Sequence, residues 1–140
     1  MAVEVVLDAN ILFRVLISQG DILEILFNDA LIVFAPERLK EEFLKHEEEI
    51  VEKSKLARED VEALTSLIFN KVSLIPVSEY KSLLPKAKEL LGRHTKDEDF
   101  VALCLLKRAK LWTYERLLFE IGVGISTKQI GETLLGEKVK

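Results

Sequence analysis

Apolar positions come in short runs whose period changes along the chain, and each change marks an element. Val-Glu-Val-Val-Leu at residues 3 to 7 is rich in β-branched side chains and ends at Asp8, which predicts a buried first strand. Residues 10 to 18 continue as a helix. A second helix is expected over Gly20 to Asn28, where Ile22, Leu23, Ile25, Leu26 and Phe27 recur at helical spacing. Leu31 to Ala35 reads as another strand, stopped by Pro36. From Glu37 the period turns helical: Leu39, Phe43 and Ile50 fall on one stripe among charged neighbours. At about 100° per residue, Glu42 and His46 edge that stripe, while Glu41 points nearly opposite it, toward water.

The second half repeats the pattern. A turn and a further amphipathic helix follow, with Ala57 to Asp60 near its start and Val61, Leu64, Leu67 and Ile68 as its apolar face. Val72 to Val77 predicts a short strand, and Pro76 places it at a sheet edge. Residues 81 to 92 predict a helix ending at Gly92. The polar cluster "RHTKDEDF" then opens an unusually apolar helix, Phe100 to Ala109. Thr95 and Glu98 have capping-box spacing, which puts its first turn near Lys96. "KLWTYERLL" and "GVGISTKQIGETLL" each read as a short strand leading into a helix. Regular alternation of strand and helix predicts an α/β fold, an α/β/α sandwich around a central, mostly parallel sheet of four to five strands. Its ligand site is expected at the carboxyl ends of the strands.

Composition changes this picture little. With 140 residues, 49% of them hydrophobic, the chain can bury one sizeable core, and no linker or repeat interrupts it, so one domain over residues 1–140 is expected. Cys104 is the single cysteine, which excludes an internal disulfide and a thiolate zinc cluster and suits a small apolar filler. No apolar run approaches a membrane span and no signal-like leader is evident, so a cytoplasmic protein with no membrane role is expected. A net charge of −4 argues against binding nucleic acid through bulk positive charge. It leaves room for an enzyme that gathers acids in a metal site behind a local basic rim.

The acids are placed to do that. Asp8 closes the first strand, Glu42 edges a helix, Asp97 and Asp99 lie in the first turn of the apolar helix, and Glu115 follows the strand ending at Trp112. Residues just past the strand ends of such a sheet face one crevice, so these acids can converge. Carboxylates that close repel unless a divalent cation neutralises them, and a hard-oxygen set selects Mg2+ or Mn2+ over zinc. Singly, each acid has a plainer reading: Asp8 as a helix cap, Glu42 as a solvated flank, Asp97 and Asp99 as partners of a helix dipole. His46 one turn after Glu42 could pair on zinc but lacks a second pair. Phe100 and Trp112 read as core residues. Lys40, Lys45, Arg93, His94, Lys96 and Arg116 flank the acids and could rim a phosphate site. Gly-rich phosphate loops and nucleophile elbows are absent, and a phosphatase with an Asp-x-Asp strand end would need Asp where Asn10 stands.

Taken together, these segments resemble the PIN-domain family of metal-dependent ribonucleases. "VVLDANILFRVLIS" looks like that family's opening strand, with Asp8 as first metal ligand and Asn10 in support. "APERLKEEFLKH" is similar to the helix that supplies the second acid, Glu42 by choice and Glu41 as fallback. "KDEDFVALCLLKRAKLWTYERLL" resembles the acidic turn, apolar helix and following strand, which assigns Asp97 and Asp99 as ligands, Thr113 as a hydrogen-bonding partner and Glu115 as the last acid. The family usually has Asp at that last position, and the extra methylene of Glu115 bears on catalytic rate. The resemblance implies an endoribonuclease that uses Mg2+ or Mn2+ to activate water on single-stranded RNA, with Lys96 and Arg93 on the substrate side. Similar proteins often act as the toxin of a toxin-antitoxin pair, which implies an antitoxin protein as partner and a homodimer, while others process ribosomal RNA or serve in RNA turnover without such a partner, and the sequence does not choose between them. The alternative is a PIN-fold module, weak or inactive in catalysis, that binds nucleic acid or protein.

Overall fold

The computed structural model describes residues 2–139. Among them, five parallel strands form one sheet in the order β3-β2-β1-β4-β5: β1 Val3–Leu7, β2 Leu31–Pro36, β3 Ser73–Ile75, β4 Lys110–Trp112 and β5 Gly124–Ile125. Helices α1 (Ala9–Ser18) and α2 (Gly20–Leu26) connect β1 to β2, and α3 (Arg38–Ser54) and α4 (Arg58–Lys71) connect β2 to β3. The chain then runs back across the sheet through α5 (Val77–Tyr80), α6 (Leu84–Leu91) and α7 (Glu98–Lys107) to β4, through α8 (Arg116–Glu120) to β5, and ends in α9 (Thr127–Val139).

Right-handed crossovers make direction of travel decide the face. The first two connections move one way along the sheet and the third moves back, so α1 to α4 cover one face and α5 to α7 the other. Helix α7 packs on β1, β2 and β4 and is backed by α6. Being covered on both sides explains its sequence: Phe100, Val101, Ala102, Leu103 and Cys104 are consecutive and all buried. Burial pushes the Cys104 thiol well above its ordinary pKa. The travel reverses between β1 and β4, and that switch point opens a crevice past their carboxyl ends.

The alternating and buried runs correspond to the strands expected, and all of them are parallel. Local chemistry differs in four places. The strand expected over Val72 to Val77 is shorter, Ser73–Ile75, because Pro76 has no N–H for the ladder and instead opens α5, which takes Val77. It is an edge strand, as Pro76 requires. The helix expected over 81 to 92 begins with a 3-10 turn, Lys81–Leu83, before α6 starts at Leu84 with Pro85 in its first turn. The capping box of Thr95 and Glu98 does not form: Thr95–Asp97 make a 3-10 turn and α7 starts at Glu98, with no side-chain cap. Leu67, placed on the buried face of α4, is exposed, and Val61, Thr65 and Ile68 are the buried residues there.

Trp112 is the largest fully buried side chain among the described residues, and its indole Nε1 donates to Thr127 Oγ1 at 2.9 Å, tying β4 to the start of α9. Trp112→Phe removes that bond and part of a fully buried ring. A loss of about 1–3 kcal/mol is expected, read as a lower midpoint in urea with unchanged slope.

Among the described residues no helix is long and apolar enough to cross a membrane.

Candidate functional site

Strand β1 ends in the middle of the sheet, and its next residue inherits that position. Asp8 N–H donates to Trp112 O at 3.1 Å, so the backbone of Asp8 continues the ladder beside β4 while its side chain enters the crevice. The carboxylate is only 3% exposed. Thr113, the residue after β4, is fully buried and donates from Oγ1 to Asp8 Oδ2 at 2.6 Å. The same hydroxyl accepts the Glu115 N–H at 3.0 Å, fixing the turn that carries the next acid. One threonine therefore orients Asp8 and sets the backbone of Glu115.

Asp97 reaches the crevice from the turn ahead of α7 and is 6% exposed. Among the described residues, its Oδ2 is the buried side-chain oxygen without a hydrogen-bond partner. A buried carboxylate in that state is costly. Desolvation, with the charges of Asp8 and Glu115 adding to it, pushes the Asp97 carboxyl from an ordinary 3.8 up to about 7. Burial also raises Asp8, opposed by the Thr113 hydrogen bond.

Glu42 stands on the cleft-facing side of α3, as helical geometry predicts, while Glu41 is exposed. Its Oε1 accepts from Arg38 at 3.5 Å, one helical turn earlier, and lies 3.9 Å from Lys45 Nζ. Glu115 lies 3.7 Å from Lys96 Nζ and 3.5 Å from the Asn10 amide. Asp8, Asn10, Glu42, Lys96, Asp97 and Glu115 thus line one cleft of about 340 Å³, together with Phe13, Arg38, His46, Glu49 and Phe100.

Asp99 stands behind this cleft. Its Oδ2 accepts the Tyr80 hydroxyl at 2.6 Å and its Oδ1 lies 3.5 Å from Arg38. Arg93 and His94 are exposed and do not line the cleft; Lys40 and Arg116 are likewise exposed outside it. His46 packs against Phe13 with ring centroids 5.1 Å apart, forming an aromatic wall. Arg38, Phe13 and Tyr80 were not among the residues singled out from the sequence. For Arg38 a signal existed, its position four residues before Glu42 on one helix face. For Tyr80 there was none, since only the packing of α5 on α7 brings it to Asp99.

As the side chains stand, no three of the described His, Cys, Asp or Glu residues converge closely enough to enclose a metal ion. The arrangement has a physical cause: Arg38 and Lys96 are drawn onto Glu42 and Glu115, which offsets repulsion among the acids. The donor set nonetheless suits a hard divalent cation. It is all oxygen, two members are buried, and the unpartnered Asp97 oxygen is what an ion would satisfy.

The family model described as PIN domain matches residues 6–135, nearly the whole chain. No curated protein matches it significantly.

Proposed function

This chain belongs to the PIN-domain family, whose members are in general nucleases, and from that premise we propose that it is a Mg2+- or Mn2+-dependent endoribonuclease acting on single-stranded RNA. The observation that carries the proposal is the buried, unpartnered Oδ2 of Asp97 beside Asp8 and Glu115 at the topological switch point. Asp8, Asp97, Glu115 and, from the rim, Glu42 would hold the cation, with Asp99 behind them. Bound there, a divalent cation supplies Lewis-acid charge that activates water and offsets the negative charge gathering on a phosphodiester.

The remaining work falls to the chain's own groups. Thr113 keeps Asp8 oriented through a short hydrogen bond and holds the Glu115 backbone, so the acids keep their spacing as charge changes. The Asn10 amide lies 3.5 Å from Glu115 Oε1 and favours its turn into the cleft. Lys96, largely exposed and next to Glu115, is placed to meet a phosphate at the mouth. The Phe13–His46 wall offers a base a surface to stack on. A cleft of this size accepts about one nucleotide of a flexible strand, which favours single-stranded substrate. In this reading, the partners to test are an antitoxin protein that covers the cleft and a second copy of the chain; copurification and solution mass report on both.

A second reading, a catalytically weak module that binds nucleic acid, is favoured by Glu115 where the family usually has Asp. Labelled single-stranded RNA separates the two. Cleavage in Mn2+, none in EDTA, and a loss of about 100-fold or more in Asp8→Asn are expected for the nuclease. Binding without cleavage in either buffer overturns it in favour of the second.

A further inference from the structure

Arg38 is the least exposed cation of the cleft. Its side chain is 33% exposed, against 70% for Lys45 and 73% for Lys96. Its guanidinium is held at both ends, one terminal nitrogen 3.5 Å from Glu42 Oε1 and the other 3.5 Å from Asp99 Oδ1. Asp99 is itself held by the hydroxyl of Tyr80, a fully buried residue. Burial, and then the hydrogen bond to Asp99, push the phenol above its ordinary pKa, so it remains a donor at any physiological pH. Tyr80, Asp99 and Arg38 form a chain of polar contacts that runs from the core behind α7 into the cleft.

Both contacts of Arg38 are long for hydrogen bonds, so neither consumes the donor capacity of a five-donor fork. A planar guanidinium drawn into the cleft by a carboxylate behind it suits two oxygens of a phosphodiester, and it loses less freedom on binding than a surface lysine. Its hold on Glu42 is electrostatic and weak, and a divalent cation seeking that carboxylate would displace it.

Resting on the nuclease reading above, we propose that Arg38 is the phosphodiester-binding residue of this cleft, positioned by Tyr80 and Asp99, and that it competes with the divalent cation for Glu42. The two roles have opposite signatures when the charge is removed. Without Arg38 the acids lose an internal counter-cation, so Mn2+ binds more tightly. RNA, losing a fixed contact, binds less tightly.

The test uses the full chain, stripped of metal, as wild type, Arg38→Ala, Arg38→Gln, Arg38→Lys and Tyr80→Phe, each checked for a native circular-dichroism melt. Mn2+ alone is titrated by calorimetry. A labelled single-stranded oligoribonucleotide is titrated by anisotropy in EDTA over a range of salt. For Arg38→Ala and Arg38→Gln, Mn2+ affinity rises about threefold, RNA affinity falls about tenfold, and the salt slope drops by about 0.7, the loss of one phosphate contact. Arg38→Lys restores the salt slope but not the full affinity. Tyr80→Phe keeps the slope and loses about threefold in RNA affinity, the mark of a positioning residue. Weaker Mn2+ binding in Arg38→Ala, or unchanged RNA affinity and slope, overturns the proposal while leaving the nuclease reading intact. A wild type that binds neither Mn2+ nor RNA sinks that reading itself.

Discussion

Asp97→Asn should stabilise the metal-free protein at pH 8 while removing its ability to bind Mn2+. The folded state raises the Asp97 carboxyl from 3.8 to about 7, chiefly because burial penalises its charge and then because Asp8 and Glu115 repel it. An acid raised in this way contributes stability that is fully present below its unfolded value and is lost as pH rises through the folded one. At pH 8 the wild-type protein therefore holds an unfavourable charge that the amide does not carry. With allowance for solvent screening at the cleft mouth, the gain is about 1–2 kcal/mol, or a few degrees in melting temperature. The advantage of the amide shrinks as pH falls below about 7 and disappears near 3.8, where the carboxyl is protonated in the unfolded chain as well as in the folded one. Metal binding moves the other way. The cation must displace a proton from wild-type Asp97 below about pH 7, so wild-type affinity weakens there, and the loss in Asp97→Asn, about 100-fold or more at pH 8, narrows as pH falls. Thermal melts and Mn2+ titrations at pH 5, 7 and 8 check both halves. A variant no more stable than wild type at pH 8 would contradict the account of this carboxylate.

Thr113→Val should be among the most damaging conservative changes outside the acids. Valine keeps the volume of a fully buried side chain but withdraws the hydroxyl that donates to Asp8 at 2.6 Å and accepts the Glu115 N–H at 3.0 Å. Asp8 Oδ2 and the Glu115 N–H then lose this partner, the first of them buried, and a loss of about 2–3 kcal/mol is expected. The hydrogen bond also opposes the burial that raises Asp8. Its removal lifts that carboxyl further, so Mn2+ affinity drops about tenfold near neutrality and recovers in part as pH rises. Thr113→Ser, which keeps the hydroxyl, should retain most of both. Equal losses in Ser and Val would point to packing of the methyl group instead of the hydrogen bonds.

The layout of the sheet was readable because burial leaves a mark that neighbours cannot hide. Strands covered on both faces are mostly apolar, and so is a helix sandwiched like α7, so residues 3 to 7, 31 to 35 and 100 to 104 announce themselves even with Glu4 and Ile32 exposed. Glu42 was distinguishable from Glu41 because helical period fixes which of two adjacent acids faces inward. Leu67 shows the reverse: it satisfies the period of α4 yet lies exposed, since the edge of an apolar stripe depends on how far the next layer extends. The capping box failed for a related reason. Thr95 and Glu98 have the spacing, but the approach of Asp97 to the other acids goes with a 3-10 turn that moves the helix start to Glu98. The bond of Tyr80 to Asp99 was beyond reach, because it arises from the packing of two helices whose relative placement no local pattern encodes.

Asp8 and the threonine that steadies it are 105 positions apart, on neighbouring strands of the sheet. At the pace of translation, on the order of ten seconds pass between the emergence of one and the other from the ribosome. Through that interval the aspartate sits in water with nothing to buttress it, and the crevice lacks its second wall. A nuclease assembled in this order stays idle until its synthesis is nearly complete.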